Sequence, residues 1–458
     1  MELESHTANT DDVFPLPLAP FEAYMLADHR DEYPMHFYFQ MEMQGRLQLD
    51  SLRTALTDSL EHHPLLRAKV RPRFGRVPAW EPGGDVCIRI CSQGFANLNE
   101  ILQAPRIDLM VESGLRTWVF EGPSGAELLF EFHHSCCDGL GALILIEDVL
   151  VNYHRIMGGK EMTREPADPD GLRTRTTIPL TPGQAVRKIP LDVQDAFRIL
   201  LRRPAIAKAP GTPEENDVDR GLSDFLSHQF SPVELNGLIS EARAHSTTLN
   251  CILMKDVYRS LDQWMTDCGD TGHRWIRMGV PASTRAGHSS ERTCCNRVTI
   301  MFLDQHSNAI RNADQLLDRV TTLTQFHRAS NIWYSMLQLL DILAAVPPLL
   351  RLYLRTNRRM CTTITSNVGR AFEACPLPQT EGRMVVGDMQ LTSLNFLSPL
   401  RPGTDVTFGV VTYADTLSLS MHYKPHRIGR TQAHRLLDRV VENLRESARS
   451  GTSRPQTD

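Results

Sequence analysis

Residues 133–139 read His133-His134-Ser135-Cys136-Cys137-Asp138-Gly139, and they stand where the pattern of the chain changes. The preceding residues 128–132 are mostly apolar and predict a short strand. Residues 139–150 are strongly apolar and indicate a buried helix. The two histidines and the aspartate are therefore predicted to lie between the end of a strand and the start of a helix.

The two histidines point to opposite sides of the predicted strand. Because side chains alternate along a strand, His134 shares a face with Phe130 and Phe132, while His133 faces the other way. An imidazole has a pKa near 6.5 and can accept a proton at physiological pH. We therefore predict that His134 is the catalytic base, and that His133 packs behind the strand in a supporting role.

Asp138 and Gly139 complete the segment, and Asp138 allows two readings. Asp138 could orient the imidazole as in a catalytic triad, or could point away and hold the loop through a salt bridge. Gly139 lets the chain turn sharply and places a backbone N–H at the start of a helix. Such an N–H is a suitable donor to a developing oxyanion, so both residues are predicted site residues.

Cys136 and Cys137 suggest a thiol nucleophile or a zinc site. Adjacent ligands do not converge easily on one tetrahedral metal ion, and the other ligand spacings of zinc sites are missing. We therefore expect no metal, and we interpret both cysteines as small filler side chains. The same interpretation applies to Cys294 and Cys295.

Composition excludes several classes of protein. The chain has 458 residues, 41% of them hydrophobic and 22% charged, which is ordinary for a globular protein and unlike a disordered chain or a fibre. A net charge of −5 argues against nucleic acid as a partner. Ten cysteines without a regular framework, and a polar N-terminus without a signal sequence, predict reduced thiols and a cytoplasmic location.

The chain is too long for one core and reads as two similar halves. Both halves mix strand and helix patterns, which predicts an α/β (α+β) fold with two lobes. In the first half, residues 35–43 alternate as a strand and 49–62 have helical spacing. In the second half, residues 231–234 form a capped helix start, and 406–423 predict a hairpin. We predict an N-terminal lobe over 1–175, a crossover linker over 176–218 and a C-terminal lobe over 219–458.

Residues 332–354 are the only stretch that resembles a membrane span. Asp341, Pro347-Pro348 and Arg351 interrupt it, and three arginines follow by Arg359. An uninterrupted span is not expected. Two interpretations remain: a buried helix pair broken at the prolines, or a surface over 332–359 that contacts a membrane or a lipid chain.

The segment from His133 to Gly139 resembles the HHxxxDG signature of the CoA-dependent acyltransferase superfamily. This group includes chloramphenicol acetyltransferase, nonribosomal-peptide condensation domains, alcohol acetyltransferases, wax ester synthases and polyketide-associated acyltransferases. Three further segments resemble those of the superfamily and occur in the expected order: His63-Pro64-Leu65-Leu66-Arg67, Val280-Pro281-Ala282-Ser283-Thr284-Arg285 with Asn296, and Ser366-Asn367-Val368-Gly369. The resemblance spans residues 14–449. The D-F-G-W-G segment of plant acyltransferases and the N-V-P-G-P segment of wax ester synthases are absent from the sequence.

The resemblance implies two chloramphenicol-acetyltransferase-like lobes, each a mixed β-sheet flanked by helices, with an active-site tunnel between them. His134 would remove a proton from an alcohol or amine acceptor, which attacks a thioester carbonyl. The donor would be acyl-CoA or an acyl-carrier phosphopantetheine thioester, with no tightly bound cofactor. Asp138 would turn from the tunnel and pair with Arg285. Asn367 would support the cleft from the second lobe.

Three functions remain open on this evidence. The first is an acyltransferase with a small-molecule acceptor. The second is a freestanding condensation enzyme that joins carrier-bound substrates, in which case the acyl or peptidyl carrier is a separate protein. The third is an inactive binding protein that kept the tunnel. For all three we expect a monomer.

Overall fold

The computed structural model describes residues 13–74, 76–83, 87–91, 101–160, 162, 170–178, 180–209, 223–285, 292–356 and 358–453. The predicted α/β fold class is confirmed, because these residues form two large mixed β-sheets flanked by helices. We call the seven-stranded sheet and its helices the first lobe, and the six-stranded sheet and its helices the second lobe.

The strands in these ranges are, in chain order, β1 (Leu16–Pro17), β2 (His36–Gln44), β3 (Lys69–Arg71), β4 (Ala79–Glu81), β5 (Cys87–Cys91), β6 (Leu115–Glu121), β7 (Gly125–His133), β8 (Asp224–Phe230), β9 (Trp275–Ser283), β10 (Val298–His306), β11 (Thr363–Arg370), β12 (Gln379–Thr380), β13 (Arg383–Val386), β14 (Met389–Leu397), β15 (Val406–Tyr413) and β16 (Thr416–Tyr423). The helices are α1 (Pro20–Asp28), α2 (Leu49–Glu61), α3 (Gly139–Ile156), α4 (Pro182–Leu201), α5 (Pro232–Ala244), α6 (Leu249–Asp267), α7 (Ser307–Arg311), α8 (Ala313–Ala329), α9 (Ser335–Ala345), α10 (Pro347–Arg355) and α11 (Arg430–Ser453).

The first lobe is built on a sheet with the strand order β12-β13-β14-β2-β7-β6-β5. Strands β2 and β7 are antiparallel at its centre, and His36 lies opposite His133 in their register. The alternation expected in β2 is present, because Phe37 and Phe39 pack with Phe130 and Phe132 of β7 in the core beneath α2 and α3. Strand β7, which ends at His133, is thus hydrogen-bonded to β2 on one side and to β6 on the other.

The second lobe is built on a sheet with the order β10-β9-β11-β15-β16-β8. Ser231 caps α5 and receives a hydrogen bond from the Glu234 backbone, as its sequence indicates. The predicted hairpin turns at Ala414 and Asp415, whose φ angles of 47° and 55° are those of a tight strand-matching turn. Apolar residues of α11, such as Leu436 and Val440, are fully buried against α5 and α6.

The chain does not divide between the sheets in simple sequence order. Strand β14 pairs with β2, with Phe396 opposite Phe39, so residues 379–397 extend the sheet of the first lobe. The predicted linker over 176–218 contains the 20-residue helix α4, which is longer than the short amphipathic piece expected there. The domain limits themselves stay a prediction.

A third apolar cluster joins the two lobes. Phe21 and Tyr24 of α1 meet Phe302 of β10, Met336 of α9 and Ile364 of β11. Among the described residues, no single helix has both the length and the apolar composition to cross a membrane. The pair Ile332–Ala344 and Pro348–Arg355 meets both criteria only jointly, with a 120° bend between its members. The cluster places α9 beside the space between the lobes.

Candidate active site

His134 follows the last residue of β7 and faces a cavity between the lobes. Its backbone N–H donates to the carbonyl oxygen of Met35 at 2.8 Å, which continues the pairing of β7 with the chain before β2. The imidazole lies edge-on to Phe37 and Phe21, with ring centroids 5.2 and 5.8 Å away. The backbone and the two aromatic rings therefore fix the position of the ring at the cavity wall.

The cavity has a volume of about 100 Å³ and is mostly apolar. Both lobes contribute to its wall, which includes His134, Asp138, Gly139, Phe37, Phe396, Val298, Ile300, Ile364 and Ser366. Such an apolar space solvates charge poorly, so each polar group that reaches it acts in a medium of low dielectric constant.

Burial keeps the imidazole of His134 in its neutral form. Loss of solvent lowers the pKa of His134 below its usual value of 6.5, and the negative charge of Asp138 opposes this shift only in part. A histidine with a lowered pKa is unprotonated at neutral pH. The ring is therefore ready to accept a proton.

His133 lies on the opposite side of the strand and is fully buried. Its Nδ1 accepts a hydrogen bond from the Ser135 backbone N–H at 3.1 Å, and its ring centroid is 4.5 Å from that of His29. Burial holds the pKa of His133 well below 6.5. His133 is outside the wall of the cavity.

His29, His36 and His133 lie close enough for their ring nitrogens to converge on one ion. A metal-bound histidine usually donates its second ring N–H to an acceptor. Here Nδ1 of His29 and Nδ1 of His133 instead accept backbone N–H groups, and Nε2 of His36 accepts the Ile107 N–H at 3.2 Å. Nδ1 of His36 does pair with Oε1 of Glu131 at 2.8 Å. Coordination through Nε2 would nevertheless leave His29 and His133 without a ring proton, so the cluster does not suit a metal.

Asp138 anchors the loop to both lobes. Its Oδ1 caps α3 by accepting the Gly141 N–H at 2.8 Å, and its Oδ2 accepts Arg285 Nη1 at 2.7 Å and the Arg297 N–H at 2.8 Å. Burial alone would raise the pKa of Asp138, but the Arg285 guanidinium and these N–H donors hold it below its usual value. With both oxygens engaged, Asp138 acts as an anion that positions the loop.

Gly139 is the first residue of α3 and lines the cavity beside His134. A Cβ at this position would lie 2.8 Å from Cγ1 of Val368, so the second lobe approaches the backbone too closely for a side chain. The first N–H groups of a helix have no partner within the helix and carry partial positive charge. Gly139 therefore carries such a group, and its backbone is part of the cavity wall.

Asn296 was not among the predicted site residues, although it lies close to Arg285 in the chain. Its Nδ2 donates to the carbonyl oxygens of His134 at 2.8 Å and of Ser135 at 3.0 Å. This amide connects the second lobe to the backbone that carries the imidazole. The only signal in the sequence was its place between a P-x-x-x-R segment and an apolar strand.

Asn367 is near the site but does not line the cavity. Its Oδ1 accepts the Gly369 N–H at 2.8 Å, at a point where the register of β11 with β15 is irregular. Its neighbour Ser366 lines the cavity instead. The structure thus brings His134, Asp138, Gly139 and Arg285 together and leaves Asn367 one residue out.

The cysteines of the motif are buried thiols. Burial raises the pKa of Cys136 and of Cys137 well above 9.0, and it raises the pKa of Cys295 to about 12. A thiolate is the nucleophilic form of cysteine, and it is not populated at neutral pH under these conditions. None of the three thiols lines the cavity.

Three hydrogen-bond donors that sequence reasoning missed also line the cavity: Tyr24, Ser398 and Arg401. Nε of Arg401 donates to Asp28 Oδ2 at 2.6 Å. The hydroxyl groups of Tyr24 and Ser398 are buried without a hydrogen-bond partner. These residues come from two distant parts of the chain, and no local pattern marks them.

No protein-family model matches the sequence, and no curated protein is similar to it by sequence. Solved structures are similar over nearly the whole chain. The epimerization domain from the third module of tyrocidine synthetase B has a TM-score of 0.69 at 15% identity, covering 96% of this chain and 97% of that one. Trichothecene 15-O-acetyltransferase from Fusarium sporotrichioides has a TM-score of 0.69 at 12% identity, with 94% of each chain covered.

A third similar structure was determined with thioester ligands. It is the starter condensation domain of rhizomide synthetase in complex with C8-CoA and Leu-SNAC, with a TM-score of 0.66 at 13% identity and 97% of each chain covered. The chain therefore has the two-lobed fold of condensation domains and of this acetyltransferase. The predicted resemblance is confirmed at the level of the fold.

Proposed function

We propose that the protein is an acyltransferase that moves an acyl group from a thioester to a hydroxyl or amine acceptor. The observation that carries the proposal is the neutral imidazole of His134 in an apolar cavity between the lobes. His134 removes the proton from the acceptor, and the acceptor oxygen or nitrogen attacks the thioester carbonyl. The C–S bond then breaks, and the leaving thiolate takes the proton back from the imidazolium.

Gly139 and Asp138 have separate tasks in this scheme. The carbonyl oxygen becomes negative in the tetrahedral intermediate, and we assign its stabilisation to the N–H of Gly139, whose backbone is part of the same cavity wall as His134. Asp138, held by Arg285, fixes the position of the loop and of the start of α3 relative to His134. A positioned base contributes roughly 10²–10⁴-fold to rate, and the oxyanion donor adds to it.

The donor in this proposal is acyl-CoA or an acyl carrier thioester, and no tightly bound cofactor takes part. Support for a CoA-type donor comes from the C8-CoA bound to the similar starter condensation domain. The acceptor is a small alcohol or amine. The alternative, a freestanding condensation enzyme, uses the same base but takes both substrates from separate carrier proteins.

The test is to incubate the full chain with acyl-CoAs of two to sixteen carbons and a panel of alcohols and amines. Mass spectrometry then quantifies free CoA and acylated acceptor. We expect both products together, and their loss in His134→Ala. His434→Ala makes the same change at an exposed histidine of α11 and should leave turnover intact.

Other results would redirect the assignment. Transfer from an acyl carrier protein but from no CoA thioester would favour the condensation enzyme. Equal turnover by wild type and His134→Ala would show that His134 is not the base. Ligand binding without turnover of any thioester would favour a binding protein.

A further inference from the structure

Helix α4 has its polar and apolar faces reversed relative to an ordinary surface helix. The side facing the protein carries Lys188, whose Nζ donates to Asp192 and Gln338 at 2.6 Å, and Arg198, which pairs with Asp304 at 2.6 Å. The side facing outward carries large apolar residues, each more than half exposed or close to it: Val186, Ile189, Val193, Phe197, Leu200 and Leu201. A helix in contact with water normally has the opposite arrangement.

Helices α9 and α10, with Val346 between them, add further exposed apolar side chains next to α4: Leu339, Ile342, Val346, Leu349 and Leu352. The hydrogen bond from Lys188 to Gln338 joins α4 to α9. Arg358 Nη2, just beyond α10, donates to the carbonyl oxygens of Ile199 and Leu200 at the end of α4. We call the exposed apolar residues of these three connected helices the apolar surface, and they are more numerous than the scattered apolar residues usual on a monomer.

Four arginines surround a cleft of about 630 Å³ at one end of the apolar surface: Arg202, Arg203, Arg358 and Arg359. Leu200 of α4 and Tyr353 of α10 also line it, so the cleft is continuous with both helices. One guanidinium group can form two parallel hydrogen bonds to phosphate oxygens, so arginine is favoured where phosphate is recognised.

We propose that α4, α9 and α10 form a docking surface for an anionic phospholipid bilayer, with the arginine cleft receiving headgroup phosphates. An exposed apolar helix face with adjacent arginines has the composition of a helix that lies in the membrane interface. The proposal is independent of the acyl-transfer reaction. It places the cavity close to the bilayer, because Met336 on the inner side of α9 lines the cavity.

The test is cosedimentation of the full chain with phosphatidylcholine vesicles, with and without one quarter phosphatidylglycerol. We expect at least tenfold tighter binding to the anionic vesicles, weakened by salt. Phe197→Ser with Ile342→Ser should reduce binding at least tenfold, and Arg203→Glu should remove the preference for anionic lipid. Val233→Ser, an exposed valine on α5, is the matched control and should bind as wild type.

Two results would overturn the proposal. The first is absence of wild-type binding to either vesicle, or binding unchanged by the double variant. The second is a wild-type dimer in light scattering that the double variant converts to a monomer, which would mean that a second copy covers the surface. Circular dichroism of each variant confirms that the fold is retained.

Discussion

His133 and His134 are adjacent in the chain, and burial lowers the pKa of both, yet they have different surroundings. His133 is enclosed among His29, His36 and the Ser135 backbone, with no access to a substrate. His134 reaches an apolar cavity that both lobes line. A lowered pKa by itself therefore does not mark a catalytic base. Access to the reacting atoms, which strand alternation decides here, makes the difference.

The largest expected effect is a difference in kcat between variants of the two histidines. His134→Ala should lower kcat by about 10²–10⁴-fold with a smaller change in KM, because the base acts mainly in the transition state. His133→Asn should change kcat by less than tenfold. Steady-state kinetics with the acyl-CoA that the wild type turns over best measures both. Similar losses in the two variants would mean that the comparison is wrong.

The second expected effect concerns the salt bridge between Asp138 and Arg285, which holds the loop that follows His134. Arg285→Gln leaves the buried carboxylate of Asp138 without its partner and should lower the free energy of unfolding by about 3–5 kcal/mol. Adding Asp138→Asn should recover part of that loss. Arg370→Gln removes an exposed ion pair with Asp415 and should change stability little. Urea unfolding measures all three, and equal effects of the two arginine variants would contradict the anchor.

A smaller effect is expected on the buried side of the strand. His133→Phe removes the acceptor of the Ser135 N–H and should cost about 1–3 kcal/mol of stability. His133→Asn supplies an oxygen near the position of Nδ1 and should lose less. Thermal unfolding of both variants tests the order. A His133→Phe variant as stable as wild type would show that this hydrogen bond does not stabilise the fold.

The smallest expected effect concerns the close approach of Val368 to the backbone of Gly139. Gly139→Ala places a Cβ against Val368 and should lower kcat by about tenfold through a shift of the helix start. Gly139→Ala with Val368→Ala removes the clash and should restore most of the rate. A double variant as slow as the single variant would show that the close approach of Val368 is not the cause.

Local pattern was sufficient for much of this site. Alternation over residues 128–134 placed His134 and His133 on opposite faces, since side-chain direction in a strand has a period of two. The switch to apolar helical spacing at Gly139 located the start of α3. Strand and helix patterns in both halves gave the α/β class.

The remaining features depend on contacts between the lobes. Tyr24 and Arg401 meet in the cavity because α1 packs beside the chain that follows β14, and neither segment carries a local signal of this. The pairing of β14 with β2 crosses almost the whole chain. Asn367 was expected at the cleft, but Ile364 and Ser366 line the cavity, and alternation along β11 turns Asn367 to the other face. Helix α4 was underestimated because Pro190 lies inside it, and a proline normally ends a helix.

The most direct test of His134 as the base is the pH dependence of kcat/KM in wild type and in His134→Ala. A base works only when unprotonated, and burial lowers the pKa of His134, so activity should rise with a single proton dissociation whose midpoint lies below pH 6.5. The residual activity of His134→Ala should lack this step. A midpoint above 6.5, or the same acidic limb in His134→Ala, would contradict the assignment of His134 as the base.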